Sequence, residues 1–172
     1  MSDSITYRMM KPADAEEVSE LVCAGFDEFI ALDMDEEGVA AFRRYADPEA
    51  FRERSGSGSY FVLVAEVGGR IAGITEFRDR NHVALLFVGK DFHKRGIARG
   101  LFDRALRQAR STQPDVERVT MNSSRYGVKA YEKLGFRQTG PERSVNGIVF
   151  VPMAMRLELL PDGAAPQTPG KP

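Results

Sequence analysis

The sequence has one cysteine, almost no excess of either charge and no long apolar run, and each shortage removes a class of protein. With Cys23 alone no intramolecular disulfide can form, so a disulfide-stapled scaffold is excluded. Cys23 falls among the apolar positions of a helical pattern and is expected to be a small core side chain, not a reactive thiol. The 24 basic and 25 acidic residues leave a formal net charge of -1. That balance exerts no general pull on nucleic acid or an anionic membrane, so neither is expected as a partner, and any affinity for anions has to be local. No apolar stretch approaches the roughly 20 residues that span a bilayer, and the N-terminus lacks the charged and apolar sections of a signal peptide. The expected location is cytoplasmic.

What is present fits one sizeable core. The 172 residues are 42% hydrophobic, which suits a single domain over residues 1–160, followed by a Pro-, Gly- and Ala-rich tail at 161–172 expected to be disordered. Ile5 to Met10 has the pattern of a strand, and Pro12 suits a first helical position. Ala15, Val18, Leu21, Val22, Phe26 and Phe29 recur at three- and four-residue steps, predicting a helix with one buried face. More polar helical stretches follow at Glu36 to Tyr45 and Pro48 to Arg54. After the Ser/Gly-rich segment that ends at Ser59 the period becomes extended. Tyr60 to Glu66, Arg70 to Arg78 and His82 to Val88 predict three antiparallel strands, turned at Gly68-Gly69 and Asp79 to Asn81. A helix from Gly96 to before Pro114, a strand at Arg118 to Asn122 and a helix carrying Val128, Tyr131 and Leu134 come next, with Gly135 as the stop. Strands at about Phe136 to Arg143 and Ile148 to Leu157 flank the hairpin signal Asn146-Gly147. No internal repeat is visible. The order predicts an α/β fold with a mixed sheet and helices against it.

The informative segment is Gly89-Lys-Asp-Phe-His-Lys-Arg-Gly-Ile-Ala-Arg-Gly100. A strand feeding a glycine-containing turn and then a helix N-terminus aims several unpaired backbone N–H groups at one point, where the helix dipole adds positive potential. Such a turn can hold a phosphate, with Lys94, Arg95 and Arg99 supplying charge around it; an ordinary helix start with solvated basic residues has the same spacing. The segment contains neither Gly-x-x-x-x-Gly-Lys-Ser/Thr nor Gly-x-Gly-x-x-Gly with an acidic residue about 20 positions on, so both common nucleotide-binding loops are unsupported.

His93-Lys94-Arg95-Gly96-Ile97-Ala98 resembles motif A of the GNAT acetyltransferases, Arg/Gln-x-x-Gly-x-Gly/Ala, departing from it at His93. Asn122 to Phe136 resembles the second segment of that superfamily, with its strand-end Asn and its closing Ala-x-x-x-x-Gly-Phe. The resemblance implies a GNAT-like, mostly antiparallel central sheet of about six or seven strands flanked by helices. It implies an acetyl-coenzyme A-dependent N-acetyltransferase acting on a primary amine by direct transfer in a ternary complex, with no metal. A non-catalytic acyl-coenzyme A binding module would keep the same loop. The coenzyme is expected at Leu86, Phe87, Val88, His93, Lys94, Arg95, Gly96, Ile97, Ala98, Arg99, Gly100, Asn122 and Tyr131, its pantetheine arm lying between the strands of His82 and Arg118. A backbone N–H near Phe87 or Val88 would face the oxyanion.

For proton transfer the resemblance points to Tyr131 as general acid. For the base, alternation along its strand places His82 with Ala84, Leu86 and Val88, and an imidazole can do the work of the carboxylate that several GNAT enzymes carry there. Glu76 is the second candidate. The acceptor, a small-molecule amine or a protein amine, is not legible. Asp27, Glu28, Asp33, Asp35, Glu36 and Glu37 would favour a cationic one, or be solvated helix ends. A homodimer is left open.

Overall fold

Most elements form where a local signal asks for them. In the computed structural model, which describes residues 4–158, the order is β1 (Ile5–Met9), α1 (Ala15–Phe29), α2 (Glu36–Tyr45), α3 (Pro48–Ser55), β2 (Tyr60–Val67), β3 (Arg70–Arg78), β4 (His82–Val88), α4 (Ile97–Thr112), β5 (Arg118–Ser123), α5 (Val128–Leu134), β6 (Arg137–Gln138), β7 (Arg143–Val145) and β8 (Ile148–Arg156). The expected tail lies outside the described residues. Pro12 opens a 3₁₀ turn, Pro12–Asp14, that leads into α1. Asp35 caps α2 by accepting from the Gly38 N–H at 2.8 Å, and Asp47 caps α3 through the Glu49 N–H at 2.9 Å; each satisfies a donor the helix cannot pair internally.

The strands form one eight-stranded sheet, β1-β2-β3-β4-β5-β8-β6, with β7 paired to β8. Every pairing is antiparallel except β4 with β5. On one face Ile97, Leu101, Phe102 and Ala105 of α4 pack with Val119, Met121, Phe136 and Met153. On the other, Val18 and Val22 of α1 and Phe51 of α3 pack with Val62, Val64, Ile74 and Leu85. Cys23 is half-buried against this second cluster.

Two local expectations are corrected. The strand expected over Phe136 to Arg143 is broken: β6 is two residues long, the ladder ends with the Thr139 N–H on Pro152 O at 2.9 Å, and pairing resumes only at Arg143. Pro141 has no N–H to continue the ladder, and the chain bends there instead. The alternation along β4 also fails. Glu76 pairs with Leu85 and Phe77 with Val83, so Ala84 is a bulge without a partner. The phase flips at the bulge: Val83, Leu86 and Val88 pack toward α4, whereas Leu85 and Phe87 pack toward α1. His82, on the opposite side from Val83, therefore shares its face with Leu85 and Phe87 and not with Leu86 and Val88.

Candidate active site

β4 and β5 begin side by side and then separate. Only His82 with Thr120 and Val83 with Met121 are paired, and the bulge at Ala84 bends β4 at the point where the pairing stops. From there on its outer edge has no strand beside it. The Gly89 N–H donates to Ala72 O at 2.9 Å, so by antiparallel alternation Phe87 turns its backbone to β3, while Leu86 and Val88 turn theirs into the opening. Side chains reach those two carbonyls from that side: the Tyr131 hydroxyl lies 3.5 Å from Leu86 O, and His93 Nε2 lies 2.9 Å from Val88 O.

A cavity of about 930 Å³ fills the opening and is lined from both faces of the sheet. At its α4 end, Lys94 (φ 61°) and Gly96 (φ 75°) turn the chain into the helix through the left-handed region. The first helical bond runs from the Gly100 N–H to Gly96 O at 3.0 Å, so the N–H groups of Ile97, Ala98 and Arg99 have no partner within the helix. A Cβ on Gly96 would meet nothing within 4 Å. Glycine is required there by conformation, and the space in front of it is open. Unpartnered amides, a helix N-terminus and Lys94 beside them make this end an anion cradle.

Of the expected coenzyme positions, Leu86, Phe87, Val88, His93, Lys94, Gly96, Ile97, Ala98, Arg99, Asn122 and Tyr131 line the cavity; Arg95 and Gly100 do not. Arg95 lies over the Phe92 ring at 5.8 Å. Gly100 is small for a packing reason, since a Cβ there would stand 2.1 Å from the Tyr7 hydroxyl of β1. Arg99 is anchored: its Nη2 donates to Lys133 O at 2.7 Å and ties α4 to the end of α5, with its charge kept.

The candidate acid and base sit apart in character. Burial pushes the Tyr131 hydroxyl up to about 12. His82 Nδ1 lies 2.8 Å from Thr120 Oγ1 across the paired start of the two strands. Burial first, and then the charge of Arg78, push its imidazole down to about 4, against a smaller opposing pull from Asp79. His82 is thus neutral at pH 7. Because its folded-state value lies below the ordinary 6.5, the stability it contributes is full above pH 6.5 and is lost as pH falls through about 4. Melting temperature followed from pH 7 to pH 4 is expected to fall less steeply in His82→Gln than in the parent; superimposable curves would show that the imidazole is not held neutral.

Glu76 is fully buried and does not line the cavity. It accepts from the Tyr45 hydroxyl and, at 3.0 Å, from Arg54 Nε, while the Arg54 guanidinium stacks 3.8 Å over the Tyr45 ring. Burial raises its pKa against the opposing pull of both partners. The group holds Tyr45, a cavity residue, in place; removing one member of such a buried ion pair costs about 3–5 kcal/mol.

The opposite side of the cavity is closed by a contact that only the tertiary structure shows. α2 rests on the β7–β8 turn so closely that a Cβ on Gly38 would fall 2.1 Å from Gly147 O. Asn146 and Gly147 both have positive φ, 50° and 77°, as the tight hairpin requires. A glycine inside a helical pattern was the available sign at Gly38; nothing in the sequence marked Thr120, or Phe29 stacked on Tyr126 at 4.6 Å. Of the six acidic residues near this side, four are engaged elsewhere, and Glu36 and Glu37 are exposed and do not line the cavity. Asp27 pairs with Arg43 at 2.7 Å, Asp33 with Arg125 at 3.2 Å and Glu28 with Lys90, and Asp35 is the α2 cap. Among the described residues no three His, Cys, Asp or Glu side chains gather as metal ligands, and no helix is long and apolar enough to cross a membrane.

A family profile described as an acetyltransferase (GNAT) domain matches residues 30–157. Among solved structures, the chain is similar to PaiA N-acetyltransferase from Thermoplasma acidophilum in complex with coenzyme A, at 18% identity and a TM-score of 0.75, covering 90% of this chain and 99% of that one. It is similar to a GCN5-related N-acetyltransferase from Rhodopseudomonas palustris at 20% identity and a TM-score of 0.74, covering 91% and 98%. A spermidine N-acetyltransferase from Vibrio cholerae, in a mutant form, matches at 16% identity and a TM-score of 0.62, covering 88% and 93%. No match is found among curated protein sequences.

Proposed function

The chain belongs to the GNAT acetyltransferase family, and from that membership we propose that it moves an acetyl group from acetyl-coenzyme A to the nitrogen of a primary amine, by direct transfer in a ternary complex. The observation that carries this reading is the parting of β4 from β5 after Val83, with the Leu86 and Val88 backbone turned into the opening and the α4 N-terminus at its end. An extended, amide-bearing arm fits beside an unpaired strand edge as another strand would, and a pyrophosphate fits an anion cradle of helix amides.

Acetyl-coenzyme A brings an activated acyl carbon and a thiol leaving group. Lys94 and the amides of Ile97, Ala98 and Arg99 hold the pyrophosphate. Leu86 and Val88 pair with the arm, and their outward N–H groups are the donors for the carbonyl oxygen as negative charge develops on it. As the C–N bond forms and the C–S bond breaks, the amine loses one proton to solvent by way of His82, and the departing thiolate takes one from solvent. Tyr131 serves the sulfur as a hydrogen-bond donor more than as a proton source: with its hydroxyl at about 12 and an ordinary thiol near 8.5, full transfer would be uphill by roughly 5 kcal/mol. His82, neutral and half-buried, passes the amine's proton outward to solvent and does not keep it. In the tautomer whose Nδ1–H donates to Thr120 Oγ1, Nε2 is a bare acceptor.

The test is thiol release from acetyl-coenzyme A with a panel of primary amines, with the product identified by its acetyl mass increment. Amine-dependent release is the expected result; a protein that binds acetyl-coenzyme A and releases thiol with none of them is a binding module. Within an active system, His82→Ala should lower the rate most near neutral pH and less at high pH, where more of the amine is already neutral. A pH–rate profile unchanged in shape and height takes His82 out of the mechanism.

A further inference from the structure

We infer that the acceptor is an arylalkylamine, a primary amine on an apolar, ring-sized body with no second positive charge. The inference rests on the acetyl-transfer reading above and specifies its second substrate. On the α1 and α2 side, the cavity wall is built by Phe29, Ile30, Met34, Phe42, Ile148 and Phe150. Two of these rings are held by stacking: Phe42 lies 3.9 Å from Phe26 at an interplanar angle of 5°, and Phe29 lies against Tyr126. They present flat apolar surface at low entropic cost, which suits another ring.

Charge argues in the same direction. Among the described residues lining the cavity there is no Asp or Glu, and the lysines and arginines that line it are Arg78, Lys94, Arg99 and Lys133. Of the carboxylates nearest in sequence, Asp27, Glu28 and Asp33 pair with Arg43, Lys90 and Arg125, Asp35 caps α2, and Glu36 and Glu37 are exposed on the first turn of α2 and do not line the cavity. A polyamine placed here would bury a second ammonium against hydrocarbon without a counter-charge, and an unpaired buried charge is strongly disfavoured. A phenyl ring in the same place trades water for apolar contact. The acceptor's one ammonium belongs at the inner end, beside His82, where it must be deprotonated to react. The spermidine acetyltransferase is similar to this chain in fold alone, at 16% identity, so its acceptor does not transfer.

The test compares kcat/KM for phenethylamine, n-butylamine, spermidine and an N-acetylated lysine amide at saturating acetyl-coenzyme A. Alongside it, phenethylamine and spermidine are titrated calorimetrically into protein carrying coenzyme A, which reads the pocket without turnover. Phenethylamine should exceed spermidine by at least about tenfold in both measurements. Ile148→Glu places a carboxylate in the wall and should shift that ratio toward spermidine by about tenfold or more; Met34→Glu asks the same from a second position in that wall should the first variant not fold. A parental preference for spermidine or the lysine amide, or a ratio unmoved in a folded carboxylate variant, overturns the inference and leaves acetyl transfer standing. Selective binding of phenethylamine without turnover supports the pocket chemistry and overturns the transfer reading. Failure of every amine to bind or react, in protein shown to bind acetyl-coenzyme A, overturns both.

Discussion

Gly96→Val is expected to lose coenzyme A binding in a protein that still folds. Gly96 sits at φ 75° immediately before α4, a conformation that a β-branched residue adopts only under strain of about 1–3 kcal/mol. A domain with a stability of about 5–15 kcal/mol survives that, at the cost of roughly 2–4 °C in melting temperature for each kcal/mol. The turn itself relaxes, however, and the N–H groups of Ile97, Ala98 and Arg99 no longer converge. Losing two charge-assisted hydrogen bonds, at about 1.5 kcal/mol or more each, weakens binding by about a hundredfold or more. Gly96→Asn is the control, because asparagine tolerates the left-handed region and should retain most of the affinity. Calorimetric titration of both variants decides the matter. An affinity for coenzyme A in folded Gly96→Val within threefold of the parent's would place the pyrophosphate elsewhere.

Tyr131→Phe is expected to reduce turnover with little change in coenzyme affinity. The hydroxyl faces the opening next to Leu86 O, and the ring packs edge-on to Phe136 at a centroid distance of 6.3 Å. Phenylalanine keeps that packing and removes one donor. A positioned acid contributes about 10²- to 10⁴-fold. The loss should sit near the lower figure, since a hydroxyl at about 12 donates to a departing thiolate without giving up its proton. The effect belongs in kcat, because the charge on sulfur exists only as the bond breaks. Parental turnover on an identified amine, with chemistry shown to limit the rate, would make Tyr131 a packing residue.

The sequence alone determined what depends on short-range order. Apolar side chains at helical spacing in α1 and α4, the tight turns at Gly68-Gly69 and Asn146-Gly147, and the strand-to-helix turn through Gly96 each require only a few neighbouring residues, so their pattern is written locally. The strand-to-helix turn was legible for that reason, and the resemblance of His93 to Ala98 and of Asn122 to Phe136 placed the chain in a family. The tertiary structure decided what depends on partners distant in the chain. Whether Ala84 pairs or bulges is settled by β3, and that one residue moves His82 to the α1 face and bends β4 away from β5. That Gly100 packs against Tyr7 of β1, and that Asp27, Glu28 and Asp33 pair with Arg43, Lys90 and Arg125, also depends on segments far apart in the chain. The apolar wall of the cavity is built by α1, α2 and β8, with α2 and β8 meeting at Gly38 and Gly147. A side chain's pattern reports whether it is buried; which surface it is buried against is a property of the packed chain, and the apolar wall of the cavity consists of such surfaces.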